Sequence, residues 1–210
     1  MSRSDALALV AAARHLAVRG LSPGSSGNLS IRLGDRVLVT PTGSSLSRVQ
    51  ADDIAELSLA GEHLAGPRPT KEWAMHVAAY ASDASLGAVV HLHSPASTAV
   101  SCLPPVGAGL ADLPAYTPYR VMSLGEVPLV PYAAPGDASL GAEVGARVAA
   151  GRPVMLLANH GSVVAAATLD RAVDLSEELE ASAALALTLA GRGARTLAPE
   201  QQSRLRPPAG

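Results

Sequence analysis

The sequence predicts an α/β fold in which a mostly antiparallel sheet is covered by helices. Three observations lead there. The 210 residues are enough for one domain with a sizeable core. Short apolar runs of strand length are joined by turn-rich links, which reads as hairpins. Helical patterns are mixed among those hairpins without the regular strand–helix alternation of a parallel sheet. No heptad or longer internal repeat is visible.

Taken in order, Ser4 is placed to cap a first helix running to about Arg19, with Gly20 as its stop signal. A Gly/Ser loop from Ser22 to Gly27 leads into a hairpin of 28–32 and 36–40 around Leu33-Gly34-Asp35, and Thr40 to Ser45 is a second turn-rich loop. Ile54–Leu59 and the turn Ala60-Gly61-Glu62 suggest a second hairpin. A helix is predicted over Thr70–Ser82, a buried Val-rich strand over Gly87–His93 and a short helix over Ala96–Leu103. Pro and Gly crowd the stretch from Pro104 to Pro118, which reads as an irregular surface loop. Val127–Tyr132 is a strand, and Asp137-Ala138-Ser139 opens a helix to about Ala150. Strands over Val154–Ala158 and Ser162–Ala166 flank Asn159-His160-Gly161, and Thr168 caps a long helix from Leu169 to Leu189. Residues 1–195 read as one domain and 196–210 as a charged tail, a short helix with a frayed end.

Composition excludes several functions. Aromatic residues make up 2% of the chain, with no Phe, one Trp and four Tyr, so the core must be Leu, Val and Ala. Few rings remain for stacking bases or sugars. The net charge is −2 with scattered Arg, which offers no nucleic-acid face and no polybasic membrane patch. Lys71 is the single lysine against fifteen arginines. The single cysteine, Cys102, rules out an internal disulfide and reads as buried filler. The longest apolar run, Ala183–Ala190, falls far short of the roughly 20 residues a bilayer demands, and a cytoplasmic protein is expected.

The sharpest chemical signal is His91-Leu92-His93. Strand side chains alternate, so the two histidines leave one face about 7 Å apart at the backbone. That spacing suits a metal ion as well as a pair of hydrogen-bonded core histidines. His160, in the sharp Asn159-His160-Gly161 connection, adds a third imidazole, and three His with one open position suit catalytic zinc. His15 and His63 read as surface residues without partners. Glu72 opens a helix and lies four residues before His76 on the same face; locally it reads as compensation of the helix dipole, and His76 either supports Glu72 or packs in the core, the core being the preferred reading. Three small polar loops, Gly24–Asn28, Thr40–Ser45 and Thr70-Lys71, offer the backbone N–H groups of an anion nest, although each singly is also an ordinary turn.

The order of these motifs resembles the class II aldolase/adducin family. The resemblance rests on Gly24-Ser-Ser-Gly-Asn-Leu-Ser30, Thr40-Pro-Thr-Gly43, Pro69-Thr-Lys-Glu72, His91-Leu-His93, Asn159-His-Gly161 and Glu177-Glu178, across about residues 5–190. It implies a three-layer α/β/α fold with a mixed, mostly antiparallel sheet. It implies that His91, His93 and His160 hold Zn2+, with Mn2+ or Co2+ as alternatives. Glu72 then matches an acid/base that also reaches the metal, and Gly27, Asn28, Thr42, Gly43 and Thr70 match phosphate-binding positions. Within the family, the sequence is similar to the 3-oxo-tetronate 4-phosphate decarboxylases. The marks of that subgroup are Lys71, the block from His91 to Leu103, Thr117-Pro-Tyr-Arg-Val-Met122, Val127-Pro-Leu-Val-Pro-Tyr132 and Pro135-Gly-Asp137. This implies loss of CO2 from a small phosphorylated sugar acid to give dihydroxyacetone phosphate. Lys71 is the candidate anion contact and Tyr119 the candidate proton donor, reaching a neighbouring site in a homotetramer. A sugar-phosphate aldolase or epimerase is the alternative, and a non-catalytic adducin-like interaction domain is a third reading.

Overall fold

The sheet is antiparallel at every junction but one. The computed structural model describes residues 3–205, and among them eight strands form a single sheet. The strands are β1 (Asn28–Leu33), β2 (Arg36–Val39), β3 (Ala55–Ser58), β4 (His63–Ala65), β5 (Ala88–Leu92), β6 (Leu129–Val130), β7 (Val154–Leu157) and β8 (Gly161–Ala166). Their order is β4-β3-β2-β1-β5-β8-β7-β6, and the β6–β7 pair alone is parallel. The helices are α1 (Arg3–Val18), α2 (Trp73–Ser82), α3 (Pro95–Ser101), α4 (Ala138–Ala149), α5 (Leu169–Leu189) and α6 (Pro199–Ser203).

Strand periodicity sorts the core into two layers. Ala88, Val90 and Leu92 of β5 pack with Leu9 of α1, Val100 of α3 and Leu179 of α5. Val89 points the other way, toward Met75 of α2 and Val144 of α4. The result is the expected three-layer arrangement, helix on sheet on helix. Its apolar core is mainly Leu, Val and Ala, and Tyr80 is the one Tyr, Trp or Phe side chain buried among the described residues. His91 shares parity with Val89, so it leaves the sheet on the side of α2 and α4.

Most boundaries move by one or two residues from the expectation, and a few differ for physical reasons. Ser4 lies inside α1 rather than at its cap. Glu72 is the N-cap residue of α2, not part of its first turn. The strand expected over Val127–Tyr132 shrinks to two residues, because Pro128 and Pro131 lack the N–H groups a longer ladder needs. The segment 104–118 is less superficial than its composition suggests. Ala111, Leu113 and Ala115 are buried, and backbone bridges join Val106 to Leu110 and Leu110 to Pro128. Cys102 is exposed rather than buried, because it falls just past the end of α3. Residues 120–124 form a π-helical turn that nothing in the sequence announces. The frayed end expected at the C-terminus falls on residues 206–210, outside the described residues. Among the described residues no helix is long and apolar enough to cross a membrane.

Candidate metal centre

Register brings the histidines together. Asn28 pairs with His91 across β1 and β5, and His91 pairs with Val163 across β5 and β8. His93 follows the end of β5. His160 precedes β8 at a turn in which Asn159 adopts φ +56°, a left-handed conformation that Asn tolerates better than most residues. Gly161 follows because a Cβ there would lie 2.2 Å from the Leu92 carbonyl. The three rings form a nearly equilateral triangle, with centroids 4.9, 5.0 and 4.8 Å apart. Glu72 closes the group, and one ligating atom from each of the four residues lies within 4.8 Å of the others.

The hydrogen bonds around this cluster leave its centre short of protons. His91 donates its Nδ1–H to the Ser162 carbonyl at 2.8 Å, which fixes the tautomer and leaves Nε2 as a bare lone pair. That Nε2 faces His93 Nε2 at 3.0 Å and Glu72 Oε2 at 3.3 Å. His160 Nε2 lies 3.2 Å from Glu72 Oε1, but the alignment is poor and both buried atoms lack a hydrogen bond. Lone pairs converging on one point, with two orphaned polar atoms among them, fit a divalent cation. Three imidazoles and a carboxylate are a donor set that zinc accepts.

Charge and burial tune these groups in opposite ways. Burial pushes the Glu72 carboxyl up, yet the facing His160 and His91 and the Asn28 amide outweigh it, so its pKa falls below the usual carboxylate range. Burial, and then the charges of His91 and His160, push His93 down to about 4. Both effects favour the ligating forms of Glu72 and His93 near neutral pH.

Beside the cluster opens a cavity of about 270 Å³. All six residues singled out as phosphate or anion contacts line it: Gly27, Asn28, Thr42, Gly43, Thr70 and Lys71. Glu72, His93 and His160 form another part of its wall, while His91 is fully buried behind them. Asn28 is partly committed, since its Nδ2 donates to Glu72 Oε2 at 2.9 Å; the amide keeps a second N–H for a ligand. Tyr119 is not brought to this cavity by its own chain. It is 67% exposed, beside Arg120, whose guanidinium is held by the Leu113 and Gly125 carbonyls.

The family model described as "Class II Aldolase and Adducin N-terminal domain" matches residues 7–187. The chain belongs to the class II aldolase/adducin family. A Pectobacterium atrosepticum member of this family, named 3-oxo-tetronate 4-phosphate decarboxylase, is 46% identical over 180 residues, 85% of this chain and 82% of its own. A Haemophilus influenzae protein of the same name is 44% identical over 85% of each chain. The crystal structure of YgbL from Klebsiella pneumoniae superposes with a TM-score of 0.92 at 38% identity, covering 98% of this chain and all of that one.

Several contributors to the site carry no sequence signal of their own. Glu180 of α5 accepts hydrogen bonds from the backbone N–H groups of Ala96 and Ser97 and from the Ser97 hydroxyl, at 2.7–2.8 Å. It thereby ties down the start of α3, two residues beyond His93. Its neighbours in the Glu177-Glu178 motif do other work: Glu177 pairs with His15 and Arg19, so His15 does have a partner. His63 is exposed and meets the Ala65 carbonyl of its own strand. His76 is buried as expected, but it is hydrogen-bonded at both ring nitrogens rather than packed as an apolar residue.

Proposed function

We propose that this chain removes CO2 from a 3-oxo-tetronate 4-phosphate to give dihydroxyacetone phosphate. The observation that carries this reading is the convergence of Glu72, His91, His93 and His160 at the wall of a small cavity otherwise lined by polar loops. The names of the Pectobacterium and Haemophilus relatives support the substrate class. So does a cavity lining that contains no Phe, Tyr or Trp side chain among the described residues, which suits a small anion better than a base or glycan.

His91, His93, His160 and Glu72 are the residues that would hold zinc, which supplies a Lewis acid for the negative charge that develops on the substrate. The loops contribute binding: Gly27, Asn28, Thr42, Gly43 and Thr70 receive the phosphate, and Lys71 contacts the phosphate or the carboxylate. Decarboxylation breaks the C1–C2 bond, and the electron pair delocalises from C2 onto the C3 oxygen. A proton must then enter at C2. Glu72, a carboxylate in the free site, is the acid/base that carries it at Oε1. Tyr119 of a second copy is the proton donor behind it, its phenolic O–H being a group able to give a proton in general acid catalysis. Its exposed position on its own chain accords with a homotetramer whose sites lie between subunits. We place the enzyme in the cytoplasm and its site within one domain over residues 1–195.

The test is to incubate zinc-loaded protein with 3-oxo-tetronate 4-phosphates of the erythronate and threonate series and with fuculose-type sugar phosphates. CO2 and dihydroxyacetone phosphate without aldehyde is the expected result. Aldehyde without CO2 overturns the reading in favour of an aldolase.

A further inference from the structure

Behind Glu72 a line of buried polar side chains runs away from the cavity; Asn28 still borders the cavity, and the proposed reaction asks nothing of His76, Ser30 or Tyr80 beyond it. Asn28 and Ser30 are alternate residues of β1, on the face covered by α2. Glu72, His76 and Tyr80 follow one another at one-turn intervals along α2 and its cap. Four helical residues advance about 6 Å and two strand residues about 6.8 Å, so the two rows interleave. The order is Glu72, Asn28, His76, Ser30, Tyr80. Asn28 Nδ2 meets Glu72 Oε2 at 2.9 Å, and Asn28 Oδ1 meets His76 Nε2 at 2.5 Å. His76 Nδ1 meets Ser30 Oγ at 2.7 Å, and Ser30 Oγ meets the Tyr80 hydroxyl at 2.8 Å.

An ionised Glu72 sets the direction of every proton in this line. A carboxylate can only accept, so Asn28 must present its NH2 to Glu72 and its carbonyl to His76. His76 must therefore carry its proton on Nε2. A neutral ring then has a bare Nδ1, which accepts from Ser30, and Ser30 in turn accepts from the Tyr80 O–H. Burial agrees with both ends of this assignment: it pushes His76 down to about 3 and the Tyr80 phenol up, so one stays neutral and the other stays a donor.

We infer that His76 is a positioning residue: by donating from Nε2 it stops the Asn28 amide from turning over, and so keeps one oxygen of Glu72 tied and the other bare. A turned amide would set its carbonyl against the carboxylate and drive Glu72 out of place. The held oxygen is Oε2, and Oε1 is the buried atom without a hydrogen bond that faces His160. The inference rests on the reading of Glu72 as metal ligand and acid/base.

The first test needs no variant. Nitrogen-15 correlation spectra of the wild-type imidazoles, with and without zinc, are expected to show His76 as the Nε2–H tautomer, opposite to His91. An Nδ1–H or doubly protonated His76 overturns the inference. In the second test, His76→Leu lowers turnover and weakens zinc retention against a chelator, each roughly 10–100-fold, as loss of an outer contact to a metal ligand does. His76→Gln, whose side-chain amide can donate to Asn28 Oδ1, stays within about threefold of wild type on the same scale. Equal losses in both variants, or none in His76→Leu, overturn it. If wild-type protein releases no CO2, the proposed reaction fails instead, and the tautomer and the zinc competition still decide the role of His76.

Discussion

Replacing Gly27 by Ala tests how tightly the loop over residues 22–27 is fitted against strand β5. Gly27 has φ +77°, and a Cβ there would lie 2.7 Å from Ser22 Oγ and 2.9 Å from the His91 carbonyl oxygen. The Ser22 hydroxyl can rotate, giving up its bond to the Ser26 carbonyl. The His91 carbonyl belongs to the central strand β5 and moves only if the strand moves. A left-handed backbone costs an L-residue about 1–2 kcal/mol. Forced repacking adds about 1–3 kcal/mol, so Gly27→Ala should lose about 2–5 kcal/mol. Gly24 supplies the control: it lies in the same loop at φ +65° with nothing within 4 Å of a Cβ, so Gly24→Ala carries only the backbone cost. Urea unfolding of both metal-free variants at one protein concentration separates the two contributions. Equal stability losses, within about 0.5 kcal/mol on that method, would refute the close approach of the loop to His91.

Other consequences can be checked directly. Glu72→Gln is expected to keep its zinc by elemental analysis while losing most turnover, whereas His93→Ala loses both; full turnover in Glu72→Gln removes it as the acid/base. Glu180→Ala frees the start of α3 and should cost about 2 kcal/mol in unfolding experiments, the scale of hydrogen bonds to a charged group. The same variant should hold zinc less tightly through a looser His93, and unchanged zinc retention would count against that link. Stability of the metal-free protein should fall as pH drops from 6.5 toward 4.5. There the unfolded chain protonates histidines that His93 and His76, held at about 4 and 3, keep neutral in the fold. Each contributes a slope of up to about 1.4 kcal/mol per pH unit. A flat profile over that interval contradicts the burial of these two rings.

Much of this protein was legible in the chain itself. Local signals act over a few residues: Thr168 accepts from the Arg171 N–H at the start of α5, Asp137 does the same for α4, and Gly34 turns the first hairpin. The His-x-His pair is also largely local: the two-residue period expected of the strand puts both rings on one side, and they do converge although His93 falls just past the end of β5. Composition dictated a core of Leu, Val and Ala, and the apolar core has that character. Where composition misled, burial was decided by distant segments: the Pro- and Gly-rich stretch 104–118 is pinned by β6, and Cys102 sits where α3 has just ended.

What the tertiary structure alone decided is the environment of Glu72. From local sequence alone, its position beside a helix start pointed to the helix dipole, with the acid/base role coming only from the family resemblance. His76 pointed either to a support for Glu72 or, the preferred reading, to the core. Sheet register sets Asn28 opposite His91, the packing of α2 sets Asn28 between Glu72 and His76, and α5 brings Glu180 to the start of α3 across 83 residues. Such partners are separated by 44 to 84 positions along the chain, and no propensity or period reaches that far. The side chains that could carry the chemistry are written in local motifs. The proton positions and the orphaned oxygen that would make them a metal centre arise only when strand and helix periods are laid against each other.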